Sequence, residues 1–235
     1  MANFGFRSLA VVSPWEPHWR EARSAIGAPD LLQNAKATES LAEAVADCTL
    51  VLGTGTLTYR KPEQPVVPLP ALGPRIAGEL ARGGRIGLVF GPEKHGLTRE
   101  DLSYCHLLVE IPTDPQQPSM NLGQAVAVCL YELAARPVSL QPGTPASAAP
   151  PGALQPEPSP AAASGNLDLL AEVVQQAMQA AGYSPRTMQA ANRHDLRLLL
   201  RRMALTQRDL RRILGLFRRI LWRLQSTPPR EHPRN

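Results

Sequence analysis

The chain has 235 residues, of which 43% are hydrophobic, and its formal net charge is +5. No apolar run approaches the roughly 20 residues of a membrane span, and the N-terminus lacks the charged-then-apolar order of a signal peptide. The cysteines at 48, 105 and 129 have the spacing of neither a zinc site nor a disulfide framework. Composition therefore argues against membrane, metal-bound and disulfide-stapled classes, and predicts a cytoplasmic protein.

Strand-like and helix-like stretches alternate along residues 1–136. The apolar runs SLAVV (8–12), CTLVLG (48–53), RIGLVFG (85–91) and LLVEIP (107–112) are continuous, which is typical of parallel strands covered on both faces. Helix-like segments lie at 41–46, 71–82 and 121–135. We therefore predict an α/β domain with a parallel sheet over residues 1–136.

Residues 137–165 contain eight prolines and almost no charge, which predicts a semi-extended linker. A helical extension is predicted over 166–226, with helix-like runs at 166–183, 194–205 and 206–224, and a disordered tail over 227–235. Thr206 and Asp209 form a capping-box pattern at the start of the last run.

The helical extension is strongly basic. Residues 186–223 contain eleven arginines and only two acidic residues, Asp195 and Asp209. This charge favours nucleic-acid binding, and a solvated helix face is the alternative. Trp222 is interpreted as a core residue rather than as a stacking partner for a base. The candidate RNA-contacting residues are Arg201, Arg202, Arg208, Arg211, Arg212, Arg218 and Arg219.

Three strands lead into loops that suit ligand binding. The stretches are VLGTGTLTYR (51–60), LVFGPEKHGLTREDL (88–102) and IPTDPQQPSMNLGQAVAVCLYEL (111–133). Glycine lets a backbone approach a ligand closely, and open α/β sheets bind ligands beyond the carboxyl ends of their strands. No P-loop or GxGxxG is present. We predict that the loops converge on one site, although each alone fits an ordinary turn, or a helix cap made by Ser119.

These stretches resemble a known family. LVFGPEKHGLT resembles motif 2, and IPTDPQQPSMNLGQAVAVCLYEL resembles motif 3, of the SpoU branch of SPOUT RNA methyltransferases. VLGTGT resembles the Gly-Thr-Ser-type loop of the TrmJ-like tRNA methyltransferases in that branch, and the Arg-rich tail resembles their C-terminal helical extension. The resemblance covers nearly the whole chain except the proline-rich linker.

The resemblance implies S-adenosylmethionine-dependent 2′-O-methylation of RNA ribose, with tRNA as the partner and the cytidine or uridine at anticodon-loop position 32 as the target. It also implies a parallel α/β domain with a C-terminal trefoil knot, a small all-α extension, and a homodimer with sites beside the subunit interface. Ribosomal RNA is the alternative substrate, because relatives that act on it share motifs 2 and 3.

Site residues follow from the resemblance by position. Ser119 and Asn121 are assigned to the substrate pocket, and Glu93 with Asn121 to the organisation of the loops. His95 falls at a variable position and is not assigned as a base. The implied residues of the methyl-donor site are Thr54, Gly55, Thr56, Gly91, Glu93, Gly96, Ile111, Ser119 and Met120.

The family's catalytic arginine belongs to motif 1, in a run resembling N-x-G-x-x-x-R-A-M-x-N-F-G. MANFGF at 1–6 resembles only the end of that run, so the arginine would fall two residues before Met1. We predict that the start was assigned to an internal Met. A true truncation, leaving a catalytically impaired RNA-binding protein, is the alternative. A generic nucleotide-binding protein would explain the loops but not the motif order.

Arg60 is a second candidate for the missing arginine. It follows the first loop, but the family's Gly-Thr-Ser-Ala-Arg run is altered here to GTGTLTYR, which shifts the arginine along the chain. A solvated loop residue is the favoured interpretation of Arg60.

Overall fold

A computed structural model describes residues 1–14, 19–21, 29–55, 62–135, 160–183 and 185–226. The strands are β1 (Ala10–Val12), β2 (Lys36–Thr38), β3 (Leu50–Thr54), β4 (Val66–Pro68), β5 (Ile86–Val89) and β6 (Leu107–Glu110). The helices are α1 (Pro29–Gln33), α2 (Leu41–Ala44), α3 (Gly73–Ala81), α4 (Arg99–Ser103), α5 (Leu122–Ala135), α6 (Ser164–Ala180), α7 (Gln189–Arg202) and α8 (Gln207–Ser226).

The main sheet has four parallel strands in the order β4-β6-β3-β5. A second parallel pair joins β1 to β2. The four predicted strands and the three predicted helices of this region are confirmed, with ends shifted by at most two residues. Sequence analysis missed β2 and β4, because each has only three residues. The β2 strand (KAT) is not apolar, and the two valines of β4 are flanked by Pro65 and Pro68. Pro68 ends β4 at the sheet's edge, where a missing N–H is tolerated.

The main sheet is covered on both faces. Because side chains alternate along a strand, Val51 and Leu52 of β3 point into two different clusters. One cluster contains Val45, Cys48, Val51, Tyr104, Cys105 and Leu108. The other contains Leu52, Leu69, Leu72, Ile76, Leu107, Val109 and Cys129. All the core strands end at the same edge, which places their following loops together.

The three cysteines are buried and free. Burial raises the pKa of the Cys105 thiol to about 12 and that of Cys129 to about 11. A thiol that stays protonated is a poor nucleophile and metal ligand, so these residues act as small core side chains. Within the described part of the chain, no cluster of metal-binding side chains occurs and no helix is long and apolar enough to cross a membrane.

Helices α6, α7 and α8 pack around a core that includes Leu167, Leu170, Val174, Leu200 and Leu210. The α6 helix begins at Ser164, two residues before the predicted start, because the Pro/Ala/Ser-rich composition hid its first turn. The preceding strand-like segment pairs with the α7–α8 turn, since Ala162 N donates to Leu205 O at 2.9 Å. Asp209 N donates to Thr206 Oγ1 at 3.2 Å, which confirms the predicted N-cap.

Candidate functional site

The loops that follow β3, β5 and β6 line one cavity of about 400 Å³. This confirms that the three loops converge. The cavity is lined by Thr54, Gly55, Phe90 to Leu97, Glu110, Ile111, Thr113, Pro118 to Met120, Leu122 and Ala125. Of the predicted donor-site residues, only Thr56 is missing from this lining, because it lies outside the described residues, as does Arg60.

The loop after β5 is folded tightly on itself. Gly96 N donates to Pro92 O at 2.7 Å, and Gly96 has a positive φ of +64°. A Cβ atom on Gly91 would lie 2.2 Å from the carbonyl carbon of Gly96 and 2.3 Å from Leu97 N. No side chain fits in that space, so the loop can fold back on itself in this way only with glycine at position 91.

Asn121 joins two of the cavity's loops. Its Oδ1 accepts hydrogen bonds from Gly123 N at 2.8 Å and Gln124 N at 3.4 Å, which caps the start of α5. Its Nδ2 donates to Glu93 Oε1 in the loop after β5 at 2.5 Å. The structure therefore brings together the two residues assigned to loop organisation. Capping of α5 falls to Asn121, and the sequence-based alternative of a Ser119 cap is wrong.

The cavity lining combines backbone groups with apolar and charged side chains. Sequence analysis missed Phe90, Leu97, Leu122 and Glu110, which also line it. The first three give one part of the wall an apolar character, and Glu110 adds a second carboxylate to that of Glu93. Phe90, Leu97 and Leu122 lie within the two motif stretches, and Glu110 directly precedes the second, which is their only sequence signal. A volume of about 400 Å³ lies within the roughly 300–1,000 Å³ of small-molecule sites.

Most of the predicted RNA-contacting arginines lie on the surface. Arg202 at the end of α7 is exposed, as are the predicted arginines of α8: Arg208, Arg211, Arg212, Arg218 and Arg219. The opposite side of α8 packs on the helical core through Leu210, Ile213, Leu214 and Phe217. The amphipathic pattern thus separates a packed apolar side from a basic side open to solvent.

Arg201 is a correction to the predicted set. Its side chain is only 1% exposed. Its Nε donates to Tyr104 O at 3.1 Å, and its Nη2 donates to Asp168 Oδ1 at 2.9 Å and to Ser164 Oγ at 3.4 Å. Its Nη1 also donates to Arg197 O at 3.4 Å. A charge buried with four partners inside the protein is not available to a phosphate. We call α6, α7 and α8 the helical unit. Arg201 therefore attaches this unit to the α/β domain.

A second arginine reinforces this junction. The Arg197 guanidinium lies 4.3 Å from the Tyr104 ring centroid and pairs with the Glu100 carboxylate. Tyr104 and Glu100 belong to α4 and its C-terminal cap, and the N-cap of α4 is Thr98, directly after the cavity loop. The helical unit is thus attached to the helix that leaves the cavity, a link that sequence spacing alone does not reveal.

Trp222 is also a correction, because it is not a core residue. Its surface is 52% exposed. The guanidinium of Arg219 lies 4.4 Å from its ring centroid, within the range of a cation–π contact.

Residues 1–131 match the model of the SpoU rRNA Methylase family. The tRNA (cytidine/uridine/adenosine-2′-O-)-methyltransferase TrmJ of Pseudomonas aeruginosa is 39% identical over 139 residues, which are 57% of this chain and 52% of that protein. The tRNA (cytidine/uridine-2′-O-)-methyltransferase TrmJ of Yersinia enterocolitica is 36% identical over 138 residues, 57% of this chain and 51% of that protein. The chain thus spans about half the length of the curated relatives it matches.

Solved structures show the same architecture. The crystal structure of TrmJ from Z. mobilis superimposes with a TM-score of 0.76 at 26% identity, covering 94% of this chain and 89% of that one. A putative methylase family protein from Neisseria gonorrhoeae superimposes with a TM-score of 0.53 at 27% identity, covering 79% and 85%.

Proposed function

Because this chain belongs to the SpoU rRNA Methylase family, we propose that it transfers a methyl group from S-adenosylmethionine to the 2′-oxygen of an RNA ribose. The observation that carries the proposal is the cavity itself. Loops after three neighbouring parallel strands meet there, and the two that match motifs 2 and 3 are joined by the Asn121–Glu93 hydrogen bond.

The cavity fits the methyl donor. Its apolar residues suit an adenine ring, and Gly91, which lines the cavity without a side chain, suits a backbone contact to the ligand. We assign the donor site to Thr54, Gly55, Thr56, Gly91, Glu93, Gly96, Ile111, Ser119 and Met120. When bound, S-adenosylmethionine supplies an electrophilic methyl group on a sulfonium centre.

Positioning is the main contribution of the protein. Methyl transfer needs the ribose hydroxyl in line with the methyl group, and fixed geometry supplies much of the rate. We assign this to Ser119 on the cavity wall and to Asn121, which fixes the start of α5. The hydroxyl must also give up its proton. Arg60, whose sequence context favours a solvated loop residue, is the weaker candidate for polarising it, and the motif 1 arginine is the family's own group for this role.

We propose that the substrate is tRNA, at position 32 of the anticodon loop. The TrmJ relatives are named for tRNA cytidine and uridine. The exposed arginines at 202, 208, 211, 212, 218 and 219 would contact phosphates, which gives affinity and orientation rather than sequence choice. We also propose a cytoplasmic location, which a tRNA substrate supports.

We also propose that the chain forms a homodimer and that its α/β domain carries the family's trefoil knot. The α5 helix supports the dimer, because Val128 and Tyr131 are exposed on it at 37% and 58%. Phe4 packs against Tyr131 with ring centroids 6.0 Å apart, which widens this aromatic surface. Sedimentation equilibrium of the full chain tests the dimer directly.

The testing experiment is transfer of labelled methyl from S-adenosylmethionine to unmodified tRNA and, in a parallel reaction, to ribosomal RNA, followed by nuclease mapping of the label. Label on the ribose at position 32 supports the proposal in full, and label on ribosomal RNA alone changes the substrate. Donor binding without transfer to either RNA would favour the RNA-binding alternative. Failure to bind the donor would refute the assignment of the cavity.

A further inference from the structure

We propose that α8 carries a platform on which an unpaired RNA base stacks, with Trp222 as its aromatic surface. This inference rests on the proposed function, because it specifies the part of the RNA that the helical unit contacts. Three observations support it: the position of Trp222 on the helix, its exposure, and the charge around it.

The helical phase places Trp222 among arginines. We call the exposed arginines of α8 at 208, 211, 212, 218, 219 and 223 the basic stripe. Residues three and four apart lie on the same side of a helix, so Trp222 falls beside Arg218 and Arg219. Leu210 and Phe217 lie on the other side of α8, against the helical core. Trp222 therefore lies on the same side of α8 as the basic stripe and away from the packed side.

The geometry of the ring suits stacking. One side of the indole is approached by the Arg219 guanidinium at 4.4 Å, and 52% of the residue's surface remains exposed. Aromatic side chains between cationic residues are the means by which proteins hold single-stranded nucleic acid, since the ring receives a base and the charges follow the backbone. Arg219 can contact a phosphate while its plane covers the indole.

The charge around Trp222 favours RNA as its binding partner over a second copy of this chain or a membrane surface. A second copy of this chain would bring a second basic stripe against the first, and the like charges would repel. In helices that lie on membranes, tryptophan sits on the apolar side, whereas here Trp222 lies on the side of α8 away from Leu210, Ile213, Leu214 and Phe217, which pack on the helical core. An unpaired RNA strand suits this surface, because its phosphates can pair with the arginines and one of its bases can stack on the indole ring.

The test compares two RNAs of equal phosphate number, a hairpin with an unpaired loop and a fully paired duplex, by filter binding to the full chain. We expect Trp222→Ala to weaken hairpin binding about tenfold and to leave duplex binding within about twofold. Trp222→Phe retains a ring and should stay within about threefold of the native chain for both RNAs. The slope of affinity against salt should not change in either variant, because no charge is removed.

Leu224→Ala is the matched control. Leu224 is an exposed apolar residue two positions further along, on the opposite side of α8, and its removal should leave both affinities unchanged. Equal losses for hairpin and duplex with Trp222→Ala, or no loss for either, would overturn the platform. So would a change in sedimentation or in binding to anionic vesicles without a change in hairpin binding.

The same preparations separate this inference from the proposed function. If the native chain methylates tRNA and Trp222→Ala binds the hairpin normally, the platform alone fails. If the native chain transfers no methyl group but Trp222→Ala still loses hairpin binding selectively, the platform stands and the enzymatic proposal fails.

Discussion

Asn121 donates its side-chain amide to the Glu93 carboxylate, and this hydrogen bond joins the loop after β5 to the first turn of α5. The same side chain caps α5 through its oxygen. Asn121→Asp separates the two roles, because aspartate is an equally good N-cap but has no donor for Glu93. We expect donor affinity, measured by calorimetry with S-adenosylmethionine, to fall about tenfold, the loss of one hydrogen bond to a charged group.

Glu93→Gln supplies the matched rescue. In the double variant Asn121→Asp with Glu93→Gln, the new amide at position 93 can donate to the new carboxylate at position 121, so the link is restored with its direction reversed. We expect donor affinity to recover most of the loss. A single Asn121→Asp variant that binds the donor normally would contradict the idea that this link organises the cavity.

Replacing glycine by alanine should have opposite effects on stability at positions 91 and 215. Gly91→Ala forces a Cβ against the Gly96–Leu97 backbone at 2.2–2.3 Å, so the cavity loop must move. Gly215 lies within α8, and a Cβ there meets nothing within 4 Å. We expect Gly215→Ala to raise the free energy of unfolding by roughly 0.5–1 kcal/mol, while Gly91→Ala lowers stability and abolishes donor binding. Denaturant unfolding measures the stability of both variants, and calorimetry with S-adenosylmethionine measures their donor binding.

The sequence predicts the centre of the main sheet well, because three of its apolar runs form the neighbouring strands β5, β3 and β6. The fourth run forms β1, which pairs only with β2 and is partly exposed. The three runs of the main sheet also locate the site, because β3 and β5 are parallel neighbours and the loops that follow them begin at the same edge of the sheet. One error of the sequence analysis, the exposure predicted for Arg201, depends on interactions between distant residues. Arg201 looks like its exposed neighbours in the sequence, and only its pairing with Asp168 and Tyr104 shows that it is buried. Trp222 looks like a core residue until its helical phase is compared with the packed side.

Arg201 should be the most stabilising arginine of the helical unit. Replacing it with Met leaves Asp168 partly buried without its 2.9 Å partner and removes the bond to the Tyr104 carbonyl. Breaking a fully buried ion pair from one side costs about 3–5 kcal/mol, and this is the upper limit here, because Asp168 is 20% exposed and keeps Arg197 at 3.9 Å. We expect Arg201→Met to lower the free energy of unfolding by this order, measured in urea. Arg202→Gln, next in sequence but 46% exposed at its side chain, should cost less than about 1 kcal/mol.

His106 predicts a loss of stability in mild acid. Its backbone N donates to Val51 O at 2.8 Å, and its Nδ1 accepts from Val51 N at 3.0 Å, so the ring must be neutral at that nitrogen. Burial, with a smaller contribution from the Arg201 charge, lowers the pKa of His106 to about 3. The unfolded chain takes up this proton near pH 6.5. Stability is therefore complete above about pH 6.5 and falls as the pH drops from there toward 3.

The loss has an upper limit of about 1.4 kcal/mol per pH unit, the value for one proton. His106→Asn is the control, because its side-chain oxygen accepts from Val51 N and does not titrate. We expect the unfolding free energy of this variant to change less between pH 7 and pH 5 than that of the native chain. Parallel curves for the two chains would show that His106 does not set the acid sensitivity.

The basic stripe makes the last prediction. Changing Arg211, Arg212, Arg218 and Arg219 together to Gln removes four exposed charges from α8 without touching its packed side. Each phosphate that no longer meets an arginine keeps its counterions, so tRNA affinity should fall at low salt. The slope of log affinity against log salt should become shallower by about three. Filter binding of tRNA between low and physiological salt measures both quantities.

Four exposed arginines of the α/β domain, Arg7, Arg75, Arg85 and Arg99, provide the charge-matched control. Their replacement by Gln lowers the net charge equally, so a purely nonspecific attraction to the whole protein would weaken tRNA binding equally in both variants. If α8 is the surface that meets the RNA, only the stripe variant changes the salt slope. Equal slopes in the two variants would contradict a specific role for α8 in RNA binding.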